Sequence, residues 1–152
     1  KVLQIDDEKI IKRLKMLKNM EHRLEVKKEG LWLMIDDSYN SNPNGFAEAL
    51  TVLKTATNKR VLITPGLIEL DDLNQTMNQK LAHNIKKSCD FVVLVGNNSK
   101  SIYQQLLQEK YPKKNIEQFS TYMEAWSYLK NNFIDQKMTI LIENDLPDTY
   151  LK

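Results

Sequence analysis

From residue 31 onward, short apolar runs alternate with segments whose apolar residues recur at helical spacing. The runs are Leu31–Ile35, Val61–Thr64, Phe91–Val95, Ile116–Phe119 and Met138–Ile142. Between them, Phe46, Ala49, Leu50 and Leu53 share one face of a helix expected to end near Asn58. So do Leu73, Met77, Leu81 and Ile85 on a helix opened by Asp71 or Asp72, then Ile102, Tyr103, Leu106 and Leu107, then Ala125, Trp126, Leu129 and Phe133. The central runs are apolar throughout rather than alternating, which marks strands buried on both faces. Strand and helix in strict alternation predict an α/β fold, a three-layer, Rossmann-like arrangement with a mostly parallel sheet of about six strands. Val26–Glu29 adds a short strand, joined to the next at Glu29-Gly30. Thr121 to Glu124 has the spacing of a capping box.

Such a sheet binds ligands in the crevice at the carboxyl ends of its strands. Four strand ends carry polar or turn-forming residues: Asp36-Asp37, Pro65-Gly66, Gly96-Asn97 and Glu143-Asn144-Asp145. The first is the richest. Asp36-Asp37-Ser38-Tyr39-Asn40-Ser41-Asn42-Pro43 leads from a strand into a helix, with Asn42 and Pro43 in N-cap and first-turn positions. A carboxylate there can accept from ribose hydroxyls, and the helix N-terminus favours an anion. The plainer alternative is a capping loop that only joins strand to helix.

Composition narrows the partners. Among 152 residues, 22 Lys and Arg stand against 20 Asp and Glu, a net charge of +2. No basic stripe is present, so a nucleic-acid partner is not expected. Only Arg13, Arg23 and Arg60 are arginine. Arg23, just before the first strand, is a candidate phosphate contact through its planar guanidinium; the alternative is a surface pair with Glu25. No apolar run approaches the roughly 20 residues of a membrane span. One cysteine, Cys89, makes no internal disulfide, and a cytoplasmic setting is expected. His22 and His83 form no metal-binding spacing, and no metal site is expected. Glycine stands only at 30, 45, 66 and 96, so neither a P-loop nor a Gly-x-Gly-x-x-Gly fingerprint can be built.

His22-Arg23-Leu24-Glu25-Val26, a hairpin, and Ile35 through Pro43 together resemble the opening of the C-terminal domain of Mur ligases. The Asp-Asp-Ser-Tyr-Asn-x-Asn-Pro form is most similar to the branch that adds D-alanyl-D-alanine to a UDP-linked muramoyl tripeptide. Pro65 to Leu70 resembles a later segment of the family, with Pro65-Gly66 where Gly-Asp is usual, and Val95-Gly96 matches another. The resemblance implies the C-terminal domain of an ATP-dependent amide ligase of peptidoglycan precursor synthesis, closing over ATP held by a separate P-loop domain.

Carried over by position, Arg23 would contact the ATP phosphates, and Asp37, Asn40 and Asn42 would bind the nucleotide. Tyr39 and Ser38 would face the incoming amine, an amino acid or dipeptide. Mg2+ and the UDP-linked peptide would be held mainly by domains outside this chain. On this reading residues 1–22 form a linker helix and 23–152 the domain itself, which alone should be inactive. The alternative is a non-catalytic α/β signalling module, such as a receiver-like phosphoacceptor with Asp6 or Asp7 as its acidic pair.

Overall fold

The computed structural model describes residues 6, 8–9, 21–39, 42–67 and 74–144. The proposed linker helix therefore lies almost wholly outside the described residues, as do Asn40, Ser41 and the start of the helix expected at Asp71 or Asp72.

Six strands form one sheet: β1 (Glu25–Glu29), β2 (Trp32–Asp37), β3 (Lys59–Thr64), β4 (Phe91–Val95), β5 (Ile116–Phe119) and β6 (Met138–Glu143). Four α-helices connect them: α1 (Pro43–Lys54), α2 (described from Asn74 to Ser88), α3 (Lys100–Gln108) and α4 (Tyr122–Phe133). The spatial order is β1-β2-β6-β3-β4-β5. Only β1 runs antiparallel, as the two-residue link at Gly30-Leu31 requires; every other neighbouring pair is parallel.

This order decides which face each helix covers. From β2 to β3, β4 and β5 the chain moves across the sheet in one direction. From β5 it returns to insert β6 between β2 and β3. Right-handed crossovers then require the return helix to lie on the opposite face. The two cores follow. Leu50 and Leu53 of α1, Ile85 of α2 and Ile102 and Leu106 of α3 pack with Leu62, Val92 and Leu141. On the other face Ala125 and Leu129 of α4 pack with Val61, Ile63, Val93 and Ile140. Strand parity does the sorting: consecutive residues of β3 enter different cores.

Several boundaries differ from the sequence reading. β2 continues through Asp36 and Asp37, which pair with Ile142 and Glu143 of β6. The acidic pair is thus the last two residues of the strand, in keeping with its place among the expected strand ends. Helix α1 ends at Lys54, short of the expected Asn58. β3 starts at Lys59, because Lys59 and Arg60 pair with Met138 and Thr139 of β6. The expected capping box is present: the Thr121 side chain accepts from Glu124 N, and the Glu124 carboxylate accepts from Thr121 N. No helix among the described residues is long and apolar enough to cross a membrane.

Candidate functional site

The carboxyl ends of the central strands are tied into one surface. Asn144, after β6, donates its backbone N–H to the Asp37 carbonyl across β2 (3.3 Å). Its side-chain amide donates to the Gly66 carbonyl after β3. Gly66 N–H in turn donates to Thr64 Oγ1 (3.0 Å). Asn78, buried in α2, accepts from Leu67 N (2.8 Å) and donates to Leu67 O (3.3 Å). Gly66 has φ +83°, and a Cβ there would meet Asn78 Oδ1 at 3.0 Å and Ile102 Cδ1 at 3.1 Å. Only glycine meets both the backbone and the space requirement.

The hairpin brings residues 21–25 against the β2–α1 junction. Arg23 and Tyr39, sixteen positions apart, meet there: the guanidinium carbon lies 4.7 Å from the ring centroid. Such a stack holds a cation at the surface without neutralising it. Tyr39 is 60% exposed. The Glu25 partner considered for Arg23 is bound elsewhere: its carboxylate takes the Lys27 ammonium at 3.0 Å and the His22 N–H at 3.3 Å. The Lys27 hydrogen bond, followed by that of His22, holds Glu25 below the ordinary glutamate range.

Asp37 accepts from Leu24 N at 3.0 Å through Oδ1, while its Oδ2 has no bond among the described residues. It is half-buried at the rim of the crevice. Asp36 is 3% exposed and points to the α4 side. Its Oδ1 accepts from Ser38 Oγ (2.7 Å) and Ser38 N (3.3 Å), and its Oδ2 meets His22 Nδ1 at 2.9 Å. Burial pushes Asp36 upward, but the bonds from Ser38 and His22 outweigh it and hold the carboxyl below the usual aspartate value. His22, Glu25 and Asp36 together offer three ligand atoms within 4.8 Å of one another. The Lys27 ammonium, 3.5 Å from Asp36 Oδ2, is the cation standing beside them.

Two of the expected contacts carry structural bonds. Ser38 is buried, with its hydroxyl turned onto Asp36, so it supports the loop from beneath. Asn42 caps α1: its Oδ1 accepts from Asn44 N (3.1 Å) and Gly45 N (2.9 Å), which removes that oxygen from ligand binding. Asn40 lies outside the described residues. The part played by His22 is absent from the sequence reading. Its signal was position alone, next to Arg23 and fourteen residues before the acidic pair.

The remaining candidates separate cleanly. Arg60 grips Asp90 through Nε (2.9 Å) and Nη2 (2.6 Å) at the opposite ends of β3 and β4, where it closes the sheet. His83 is exposed beside Glu109. Cys89 is buried, and desolvation pushes its thiol well above the ordinary cysteine value, which makes it inert as a nucleophile.

Comparison with known proteins gives a consistent result. The family model for the Mur ligase, glutamate ligase domain, matches residues 22–143. A curated relative, the UDP-N-acetylmuramoyl-tripeptide–D-alanyl-D-alanine ligase of Buchnera aphidicola, is 26% identical over 113 residues, covering 73% of this chain and 23% of the relative. Crystal structure II of MurF from Acinetobacter baumannii superposes with a TM-score of 0.80 at 24% identity, over 94% of this chain and 32% of that one. MurF ligase from Thermotoga maritima in complex with ADP gives a TM-score of 0.71 at 16% identity, over 90% of this chain and 32% of that one. At these identities the structures establish likeness of fold, and the chain spans no more than about a third of the relatives it matches. The chain belongs to the Mur ligase family, as its glutamate ligase domain.

Proposed function

We propose that the chain is the C-terminal part, residues 23–152, of an ATP-dependent amide ligase that adds a D-alanyl-D-alanine-type acceptor to a UDP-linked muramoyl peptide, in the cytoplasm. In this reaction a substrate carboxylate oxygen attacks the γ-phosphorus of ATP, ADP leaves, and an acyl phosphate forms. The acceptor amine then attacks the acyl carbon, and phosphate leaves with the C–O bond electrons. The role of this domain is to close over the nucleotide and present charge to the transferring group.

One observation carries the reading. Arg23, stacked on Tyr39 and not ion-paired to Glu25, and half-buried Asp37, anchored through one oxygen by Leu24 N, stand together at the carboxyl ends of a mostly parallel sheet. Arg23 supplies bidentate donors for phosphate oxygens and offsets the charge that develops in transfer. Asp37 Oδ2 accepts from ribose hydroxyls. Exposed Tyr39 borders the same opening and faces the nucleotide or the acceptor. The ADP complex of the Thermotoga relative and the ligase activity of the Buchnera relative support the substrate classes.

Asp36 does not offer an oxygen to Mg2+, because both of its oxygens are engaged by His22 and Ser38. No step is assigned to that ion in this domain. Nothing among the described residues favours the phosphoacceptor alternative, since β3 ends at Thr64, followed by Pro65, with no carboxylate in place.

The test is turnover by the longer ligase with ATP, UDP-linked muramoyl tripeptide and D-alanyl-D-alanine. ADP formation that requires both other substrates is expected. Asp37→Ala should raise the KM for ATP about tenfold, the loss of one charge-assisted hydrogen-bond partner. An unchanged KM for ATP would remove Asp37 from the nucleotide site.

A further inference from the structure

We propose that His22 and Asp36 form a positioning pair that fixes the backbone on either side of Arg23 and thereby holds its guanidinium against the Tyr39 ring. The consequence for catalysis rests on the nucleotide-facing reading above; the positioning itself does not.

The starting observation is backbone conformation. His22 has φ 60° and Leu24 has φ 47°. Both are non-glycine residues in the left-handed region, and they flank Arg23. Leucine is a poor occupant of that region, so two such residues within three positions persist only where the surroundings over-determine them. The surroundings here do so. The His22 ring is held by Asp36 at 2.9 Å, and its carbonyl accepts from Tyr39 N at 3.2 Å. Its N–H donates to Glu25 Oε2 at 3.3 Å, and Leu24 N donates to Asp37 Oδ1 at 3.0 Å. Arg23 is therefore bracketed by anchored residues, while its own side chain projects to the surface over Tyr39.

Asp36 is the fixed end of this arrangement. It is buried in β2, registered against Ile142, and its second oxygen is held by Ser38. A buried carboxylate so occupied does not reach a ligand; it acts through His22. The Lys27 ammonium beside Asp36 and the Glu21 carboxylate 3.9 Å from His22 Nε2 complete the charges around the pair. A tether at this point matters because Arg23 stands within a few residues of the chain's entry into the sheet, where a small shift at its Cα is magnified along a long side chain. Misplacement of a catalytic group by about 1 Å lowers rate by as much as a hundredfold.

Two amide substitutions separate positioning from bulk. Asparagine places its amide nitrogen where His Nδ1 stands, and glutamine places it one bond further out. In the 152-residue chain, NMR should show the Arg23 δ-protons shifted upfield by the Tyr39 ring. That shift should survive in His22→Asn and vanish in His22→Gln. Loss in both, or retention in both, overturns the pair. Should His22→Gln fail to fold, Ser38→Ala carries the same expectation, and an undiminished upfield shift in it overturns the pair equally. In the longer ligase, His22→Gln should lower kcat at least about tenfold with the acceptor KM unchanged, and His22→Asn should restore it. If Arg23→Ala itself leaves ATP kinetics untouched, the nucleotide-facing reading fails, while the NMR comparison still decides the positioning pair.

Discussion

Asp36 and Asp37 are neighbours with opposite assignments, and strand parity is the cause. One points to the α4 side, buried under His22 and Ser38; the other faces the α1 side at the crevice rim. The sequence marks the acidic pair as important but cannot divide it, since the division depends on the strand running on through both residues. The pH dependence follows from the buried member. Asp36 titrates below its unfolded value of about 3.9, so the unfolded chain takes up the proton first as pH falls. Its stabilisation is complete above about pH 5 and is lost as pH drops through the lower folded value. Thermal melts between pH 7 and pH 3 should show Asp36→Asn with a flatter acid limb than wild type; parallel curves would contradict this. At Gly66 the same scale gives a steric prediction. Gly66→Ala combines a left-handed backbone with contacts at 3.0 and 3.1 Å. It should destabilise by about 1–3 kcal/mol in urea denaturation.

The elements were legible wherever their signals were local. The sequence places Phe91–Val95 and Ile116–Phe119 at the boundaries observed. It also marks the capping box at Thr121 and Glu124 and the Asn42-Pro43 start of α1. These features rest on a few adjacent residues and need no tertiary partner. Thr121→Ala should cost about 1 kcal/mol, measured by chemical denaturation. The α1 end falls earlier than the sequence suggests because Thr55 to Asn58 continue a polar pattern that a helix tolerates, and the turn is fixed instead by backbone bonds at Thr55 and Ala56. The site was half legible. Arg23 stands out by rarity and the Asp36 to Pro43 loop by position, whereas nothing local shows that the Ser38 and Asn42 side chains bond within the loop and the helix cap. The contact between residues 22 and 36 crosses a hairpin, and no local pattern announces it.

At the scale of the molecule, the insertion of β6 between β2 and β3 left no trace in the sequence, because strand order is decided by which crossover closes over which core. That insertion builds the site: it joins the ends of β2, β6 and β3 through Asn144. Leu62 and Leu141 are fully buried neighbours on the α1 face, and Leu141→Ala should cost about 2–5 kcal/mol. The 152-residue chain alone should bind ATP weakly or not at all by calorimetry, since it contains no P-loop; tight Mg2+-dependent binding would contradict the division of labour proposed here. The central claim is that this domain brings Arg23 to the phosphates of ATP. The most direct measurement is kcat for ADP formation by the longer ligase carrying Arg23→Ala, with the melting temperature recorded alongside. The account predicts a fall of about a hundredfold or more with melting unchanged. Wild-type turnover in that variant would contradict it.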